Sequence, residues 1–85
     1  MNTAFCLLAQ YDGAAIIPLD RACRDYFGLT PDKFLRKVSL GEISIPVVRM
    51  GVSQKSPKGI HLSDLASYID ARRAAAIKEQ KAISA

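Results

Sequence analysis

Four consecutive residues, Gly28-Leu29-Thr30-Pro31, restrict this chain more than any others. Glycine just past a last turn ends a helix, because it takes the left-handed conformation without a Cβ clash. Threonine then offers a side-chain oxygen to bare backbone N–H groups, and proline suits a first helical position. The segment therefore closes one helix and opens another across a very short break. Upstream, Pro18 opens the first of these helices, and Asp20 sits in its first turn, where negative charge is favoured. Leu19, Ala22, Cys23, Tyr26 and Phe27 recur at helical spacing and are expected to face the core, with Arg21, Arg24 and Asp25 outside. Downstream, Phe34, Leu35 and Val38 supply an apolar side, Lys33, Arg36 and Lys37 a cationic one, and Gly41 the stop.

The rest of the chain frames this pair. Asn2 and Thr3 are good helix caps, and Ala4, Phe5, Leu7, Leu8 and Tyr11 predict a short helix, with a strand as the alternative for so brief an apolar run. Asp12-Gly13 marks a turn, and Ala14 to Ile17 a short extended stretch. Ile43, Ile45, Val47 and Val48 are strand formers broken by Pro46, which points to an edge strand or a bend. Gly51 to Lys58 is a polar loop, and Gly59 to His61 a short return strand, giving a β-hairpin with a cationic tip. Ser63 is expected to cap a last helix running to about Lys78, with Leu65, Ala66, Ile69, Ala76 and Ile77 as its buried stripe. Arg72 and Arg73 interrupt that stripe, so the helix is expected to leave the body there. Residues 1–80 make one domain, and 81–85 a small polar tail expected to fray.

Eighty-five residues leave no room for a second core, and an apolar fraction of 49% argues against disorder. With no Trp, three Phe and three Tyr, the core must be thin. So short a chain has little space for a buried catalytic pocket, and a binding role has the higher prior. The run Ala4 to Ala9 is too short to span a bilayer and lacks the basic flank of a signal peptide, so a cytoplasmic protein without membrane contact is expected. Cys6 and Cys23 both fall on apolar faces and read as two buried thiols rather than a disulfide. Two distant Cys and the single His61 match no metal-ligand spacing, and no catalytic set or phosphate-cradling loop is visible, so neither an enzyme nor a cofactor is expected.

Charge is distributed unevenly. Residues 33–58 carry six cations against Glu42, a net +5, while residues 1–32 net −2 and residues 59–85 net +1. Helix, three-residue break, helix is the helix-turn-helix pattern, and the hairpin after it is a wing, which together make a small α+β winged helix-turn-helix of MerR or excisionase type. The second helix is the sharpest candidate for meeting double-stranded DNA. Lys33, Arg36 and Lys37 share a side at three- and four-residue spacing, with Thr30 at the N-terminus. Arginine can bond two acceptors on guanine at once, whereas lysine serves phosphate as a point charge. Arg36 is therefore given the base-reading role and Lys37 mainly a phosphate role. Arg49 and the loop donors Ser53, Gln54, Lys55, Ser56 and Lys58 are placed on the backbone or in the minor groove. The plain alternative throughout is a solvated cationic face.

Several stretches resemble the pyocin activator protein family (PrtN). They are Phe5-Cys6-Leu7-Leu8-Ala9-Gln10-Tyr11, Ile16-Ile17-Pro18-Leu19, Cys23-Arg24-Asp25-Tyr26-Phe27 and Leu29-Thr30-Pro31-Asp32-Lys33-Phe34-Leu35-Arg36-Lys37-Val38. Further on are Gly41-Glu42-Ile43, Pro46-Val47-Val48-Arg49, Ser53-Gln54-Lys55-Ser56, Lys58-Gly59-Ile60-His61-Leu62, Asp64-Leu65 and Tyr68-Ile69-Asp70-Ala71-Arg72-Arg73. The likeness spans residues 3 to 76, with Cys6 a departure where a bulkier apolar residue is expected. It implies a transcriptional activator of phage-tail-like bacteriocin genes, made after DNA damage in Pseudomonas-like bacteria, that binds short tandem promoter boxes, with RNA polymerase as a further partner. More distantly, the order of helices and hairpin resembles excisionase and AlpA-like regulators.

The same residues support two rivals. One is an architectural factor that bends DNA, as excisionases do, and the other is a protein-interaction adaptor of a phage or toxin system. Several copies are expected on one promoter, touching through Phe5 or Leu8 or through the helix holding Arg72 and Arg73. Such contacts would give a head-to-tail row, with a symmetric dimer as the alternative.

Overall fold

The computed structural model describes residues 2–84. Among the described residues the fold is α+β, with four helices against a three-stranded antiparallel sheet. Helix α1 (Thr3–Gln10) begins where Asn2 accepts a bond from Phe5 N–H at 2.8 Å, and closes at a turn with Asp12 and Gly13 at positive φ. Strand β1 (Ile16–Pro18) runs straight into helix α2 (Leu19–Ala22), with Pro18 ending the strand rather than occupying the first helical turn.

Helix α2 widens into one π turn, Cys23–Phe27, in which Gly28 N–H donates to Cys23 O at 2.8 Å, and Gly28 closes it at φ 62°. The widened turn corrects one expectation. Leu19, Ala22 and Cys23 are buried and Phe27 half-buried, but Tyr26 lies at the surface, where its hydroxyl bonds Gln10. An extra residue in the turn rotates the later side chains off the 3.6-residue period. Arg21 is drawn inward over the buried Tyr11 ring, 4.8 Å from its centroid. Cys23 is buried as expected, but Cys6 is exposed on the outer side of α1.

Helix α3 (Pro31–Ser39) starts as the sequence predicts, with Thr30 as N-cap and Pro31 in the first turn, and Gly41 takes φ 77° beyond its end. Residues 43–47 then alternate in burial, Ile43 and Ile45 inward, Ser44 and Pro46 outward. They join no ladder, since only Val48–Arg49 form strand β2. Pro46 lacks the N–H a ladder needs, so the expected longer strand is reduced to an extended run. Strand β3 (Lys58–His61) is central, pairing Ile17↔Ile60 and Pro18↔Gly59 on one side and Val48↔Gly59 and Arg49↔Lys58 on the other.

Helix α4 (Leu62–Ser84) continues from β3 without a linker. The cap is His61, whose Nδ1 accepts from Ser63 N–H at 3.1 Å, while Ser63 itself lies inside the first turn. Leu62, Leu65 and Ala66 are buried and Ile69 half-buried, but Ala76 and Ile77 are exposed, so the buried stripe ends near Asp70. The helix leaves the body there, as Arg72 and Arg73 suggested, and stays helical to Ser84, past the point where the sequence predicts fraying; Ala85 lies outside the described residues. No helix among the described residues is long and apolar enough to cross a membrane.

Two positions set the tolerance of this body. A Cβ on Gly59 would lie 2.6 Å from Ile17 O and 2.5 Å from Ile16 Cγ2. Gly59→Ala must therefore push β1 and β3 apart, and is expected to cost about 1–3 kcal/mol in urea unfolding. Tyr11 Oη donates to Asp25 Oδ2 at 2.7 Å, and that bond, with Arg24 beside it, holds the Asp25 carboxyl below the usual carboxylate range. A depressed folded pKa contributes stability above the unfolded value, and that stability disappears as pH falls through the folded one. Tyr11→Phe is expected to lower the neutral-pH urea midpoint and to flatten its fall as pH drops through and below the usual carboxylate range.

Candidate nucleic-acid interface

The second helix of the pair shows two unlike faces. Phe34 is fully buried and Leu35 and Val38 half-buried, while Lys33 and Arg36 stand exposed on the opposite side. Neither cationic side chain has an ion-pair or hydrogen-bond partner among the described residues. Lys37 is half-buried at the edge of that face and lies 3.9 Å from Glu42, so part of its charge is answered within the chain. Thr30 Oγ1 accepts from Lys33 N–H at 3.3 Å, and the hydroxyl is thereby committed to starting the helix.

The hairpin sorts its donors in the same way. Ser53 Oγ accepts from Lys55 N–H at 3.1 Å, and Ser56 N–H donates to Ser53 O at 3.0 Å, so both serines shape the turn. Lys58 Nζ donates to Gln54 O at 2.7 Å and braces the tip. Ser56 is half-buried because its side chain packs on Gly51. The side chains of Gln54 and Lys55 stay exposed and unengaged at the tip, with Arg49 exposed at the base of the loop.

Helix and hairpin border one open groove of about 410 Å³. Pro31, Asp32 and Leu35 of α3 line it, with Ser56, Pro57 and Lys58 of the hairpin and Pro18, Leu19 and Asp20 where β1 enters α2. The groove thus joins two segments that are separate in sequence. It also contains two carboxylates that sequence reasoning did not place there, Asp20 and Asp32. Both lie in the first turns of helices, and that shared position was the available signal. Lys58 is the one cation in this lining, while Lys33, Arg36, Arg49 and Lys55 lie outside it.

The register adds a further fact. Arg49 and Lys58 are directly opposite across the β2–β3 ladder. Lys58 shares its face with Ile60, two residues on, so both cations lie on the face of the sheet that carries the core. Like charges facing one another across strands destabilise a ladder. Nothing among the described residues neutralises Arg49, so the pairing serves no evident folding purpose.

An α+β body that sets a cationic helix beside a cationic hairpin belongs to the class of small basic modules built to present charge at a surface. The chain is a member of the pyocin activator protein PrtN family, whose model matches residues 3–76. That span takes in α3, the hairpin and the buried part of α4. The family is one of activators, not of enzymes. Neither curated proteins nor solved structures give a significant match.

Removing one charge of the cross-strand pair has a defined consequence for folding. Arg49→Thr relieves the repulsion and inserts a good strand former, so it is expected to raise stability by about 0.2–1 kcal/mol in thermal unfolding. A loss of stability would mean that the arginine makes a folding contact.

Proposed function

We propose that this protein is a DNA-binding transcriptional activator of pyocin-type bacteriocin or prophage genes, acting in the cytoplasm as a small winged helix-turn-helix. In this reading α2 and α3 are the two helices of the motif, and α3 enters the major groove of a promoter box. The β2–β3 hairpin is the wing, resting on the neighbouring backbone or minor groove. Family membership supplies activation of pyocin genes. The observation that carries the DNA contact is the set of exposed cations without an ion pair among the described residues, Lys33 and Arg36 on α3 with Arg49 and Lys55 on the hairpin, carried by the two elements that border one groove.

Roles divide by chemistry. Arg36 has the planar donor fork that distinguishes guanine, and its exposed position lets it reach a base edge. Lys33 lies one turn nearer the N-terminus, where residues usually reach into the groove. Lys37, already leaning towards Glu42, and Lys55 at the wing tip serve phosphate. Thr30, Ser53, Ser56 and Lys58 hold the helix start and the loop in shape, and would meet DNA only through the bonding capacity they retain. Gln54 keeps its amide free for either backbone or groove. Asp20 and Asp32 repel phosphate, and so set the spacing between the strand met by α3 and the strand met by the wing.

Gel-shift titration on a promoter box against random duplex tests this division. Arg36→Ala is expected to cost about 1–3 kcal/mol on the box and to relax base preference, whereas Lys37→Ala weakens both duplexes alike. Replacing Arg49 and Lys55 together with neutral residues should flatten the salt slope by about one unit per lost phosphate contact. If Arg36→Ala binds the box as the parent does, α3 is not the reading helix. If affinity is indifferent to salt, the cations answer to something other than a phosphate backbone, and the adaptor reading takes over.

A further inference from the structure

The last stretch of α4 is solvent-exposed helix. Helix α1 reaches along α4 only as far as Asp70, where Thr3 Oγ1 donates to Asp70 Oδ1 at 2.5 Å. Beyond that point residues 71–84 are all exposed, about 21 Å of bare helix. A helix of this length is marginal in water without tertiary support.

Its sequence continues the pattern that packs the body. Leu62, Ile69, Ala76 and Ile83 are seven residues apart, and a seven-residue step returns to almost the same side of a helix. Leu62 is buried and Ile69 half-buried in the body, while Ala76 and Ile83 carry the same stripe onward, Ile83 at 77% exposure. Lys78 and Lys81 fall on the opposite side. Arg72 and Glu79, also seven apart, flank the stripe on one edge.

Glu79 is the only acid in this stretch and has no ion-pair partner among the described residues. The residues three and four positions away are Ala75, Ala76, Ala82 and Ile83, and no ion pair among the described residues includes it. Arg72 borders an open groove shared with Glu42 and Asp64 but makes no ion pair with either among the described residues.

We propose that residues 69–84 of α4 are the contact of a two-fold dimer, in which the helices of two copies of this chain lie antiparallel and cross at Ala76. In that register Ile69 of one copy meets Ile83 of the other, and Arg72 meets Glu79, each pair occurring twice by symmetry. The small Ala76 permits close approach at the centre. A parallel arrangement would put the Arg72–Glu79 edges of the two copies on opposite sides of the seam and leave these charges unpaired, so charge selects the antiparallel one. The cations outside the stripe remain in solvent. The inference is independent of the DNA reading, since it uses neither α3 nor the hairpin.

Sedimentation equilibrium with charge reversals tests it in the absence of DNA. The parent is expected to dimerise. R72E and E79R should each weaken dimerisation about tenfold or more, because each variant faces two like-charged contacts. An equimolar mixture of the two variants should recover the parent's affinity, since every contact is again between opposite charges. The substituted positions are solvent-exposed, so circular dichroism should show each variant folded. A parent that sediments as a monomer overturns the proposal. So does a dimer that ignores both reversals, a mixture that gains nothing over its components, or a dimer that dissociates when Phe5 and Leu8 of α1 are made polar instead.

Discussion

The placement of the cationic helix depends on one aromatic contact. Phe34 is fully buried, its ring 4.6 Å from Phe27, and Phe27 in turn lies 5.4 Å from Tyr68 of α4. These three rings link α3, through the π turn, to the helix that forms one side of the body. A nine-residue helix has no stability of its own, so its orientation is set by the face it buries. Because Phe34 points inward, Lys33 and Arg36 must point out, and the π turn that positions Phe27 fixes the direction in which they do so. The same widened turn sends Tyr26 to the surface and brings Asp25 to Tyr11.

Strand β3 makes the second connection. It is the one strand bonded on both sides, to β1 in the body and to β2 in the hairpin. Gly59 sits at the crossing, opposite Pro18 on one flank and Val48 on the other, and its missing side chain lets β1 approach. The hairpin is attached by only two residue pairs in β2, and one of these opposes two cations. A sheet selected for stability alone would not put charge there. The local cost is small compared with burial of Ile17 and Ile60, and this is why the arrangement can persist.

Much of this was legible in the sequence wherever local chemistry decides the outcome. Gly28, Thr30, Pro31 and Gly41 marked the limits of α2 and α3 because caps and left-handed turns depend on single residues. The hairpin and its polar tip were visible from the glycines, Pro57 and the β-branched run. Reading failed where a tertiary partner overrides local pattern. Ser63 is the better cap by residue type, but β3 runs directly into α4 and the His61 ring is already in place to accept the bond. Ile43 and Ile45 have strand character and strand-like burial, yet have no neighbouring strand to bond. Ala76 and Ile77 continue an apolar stripe, but α1 is too short to cover them. Of the candidate site, exposed Lys33, Arg36, Arg49 and Lys55 could be foreseen from charge and spacing. The engagement of Thr30, Ser53, Ser56 and Lys58 in shaping their own loops could not, because it depends on three-dimensional bonding that composition does not record.

The molecule separates its tasks by face. The buried residues among those described are all apolar or aromatic, and no charged side chain is enclosed. Every cation therefore lies at the surface, on positions that burial of the core leaves open. Selection can then move charge along α3 and the hairpin at little cost in stability, since exposed charges contribute little to it. The exposed length of α4 is equally independent of the core, because the body closes at Asp70 whether or not the helix continues. A domain with so thin a core gains from this division. Its limited hydrophobic area stabilises one compact unit, while the surfaces that meet other molecules are carried on elements whose outer sides the core does not constrain.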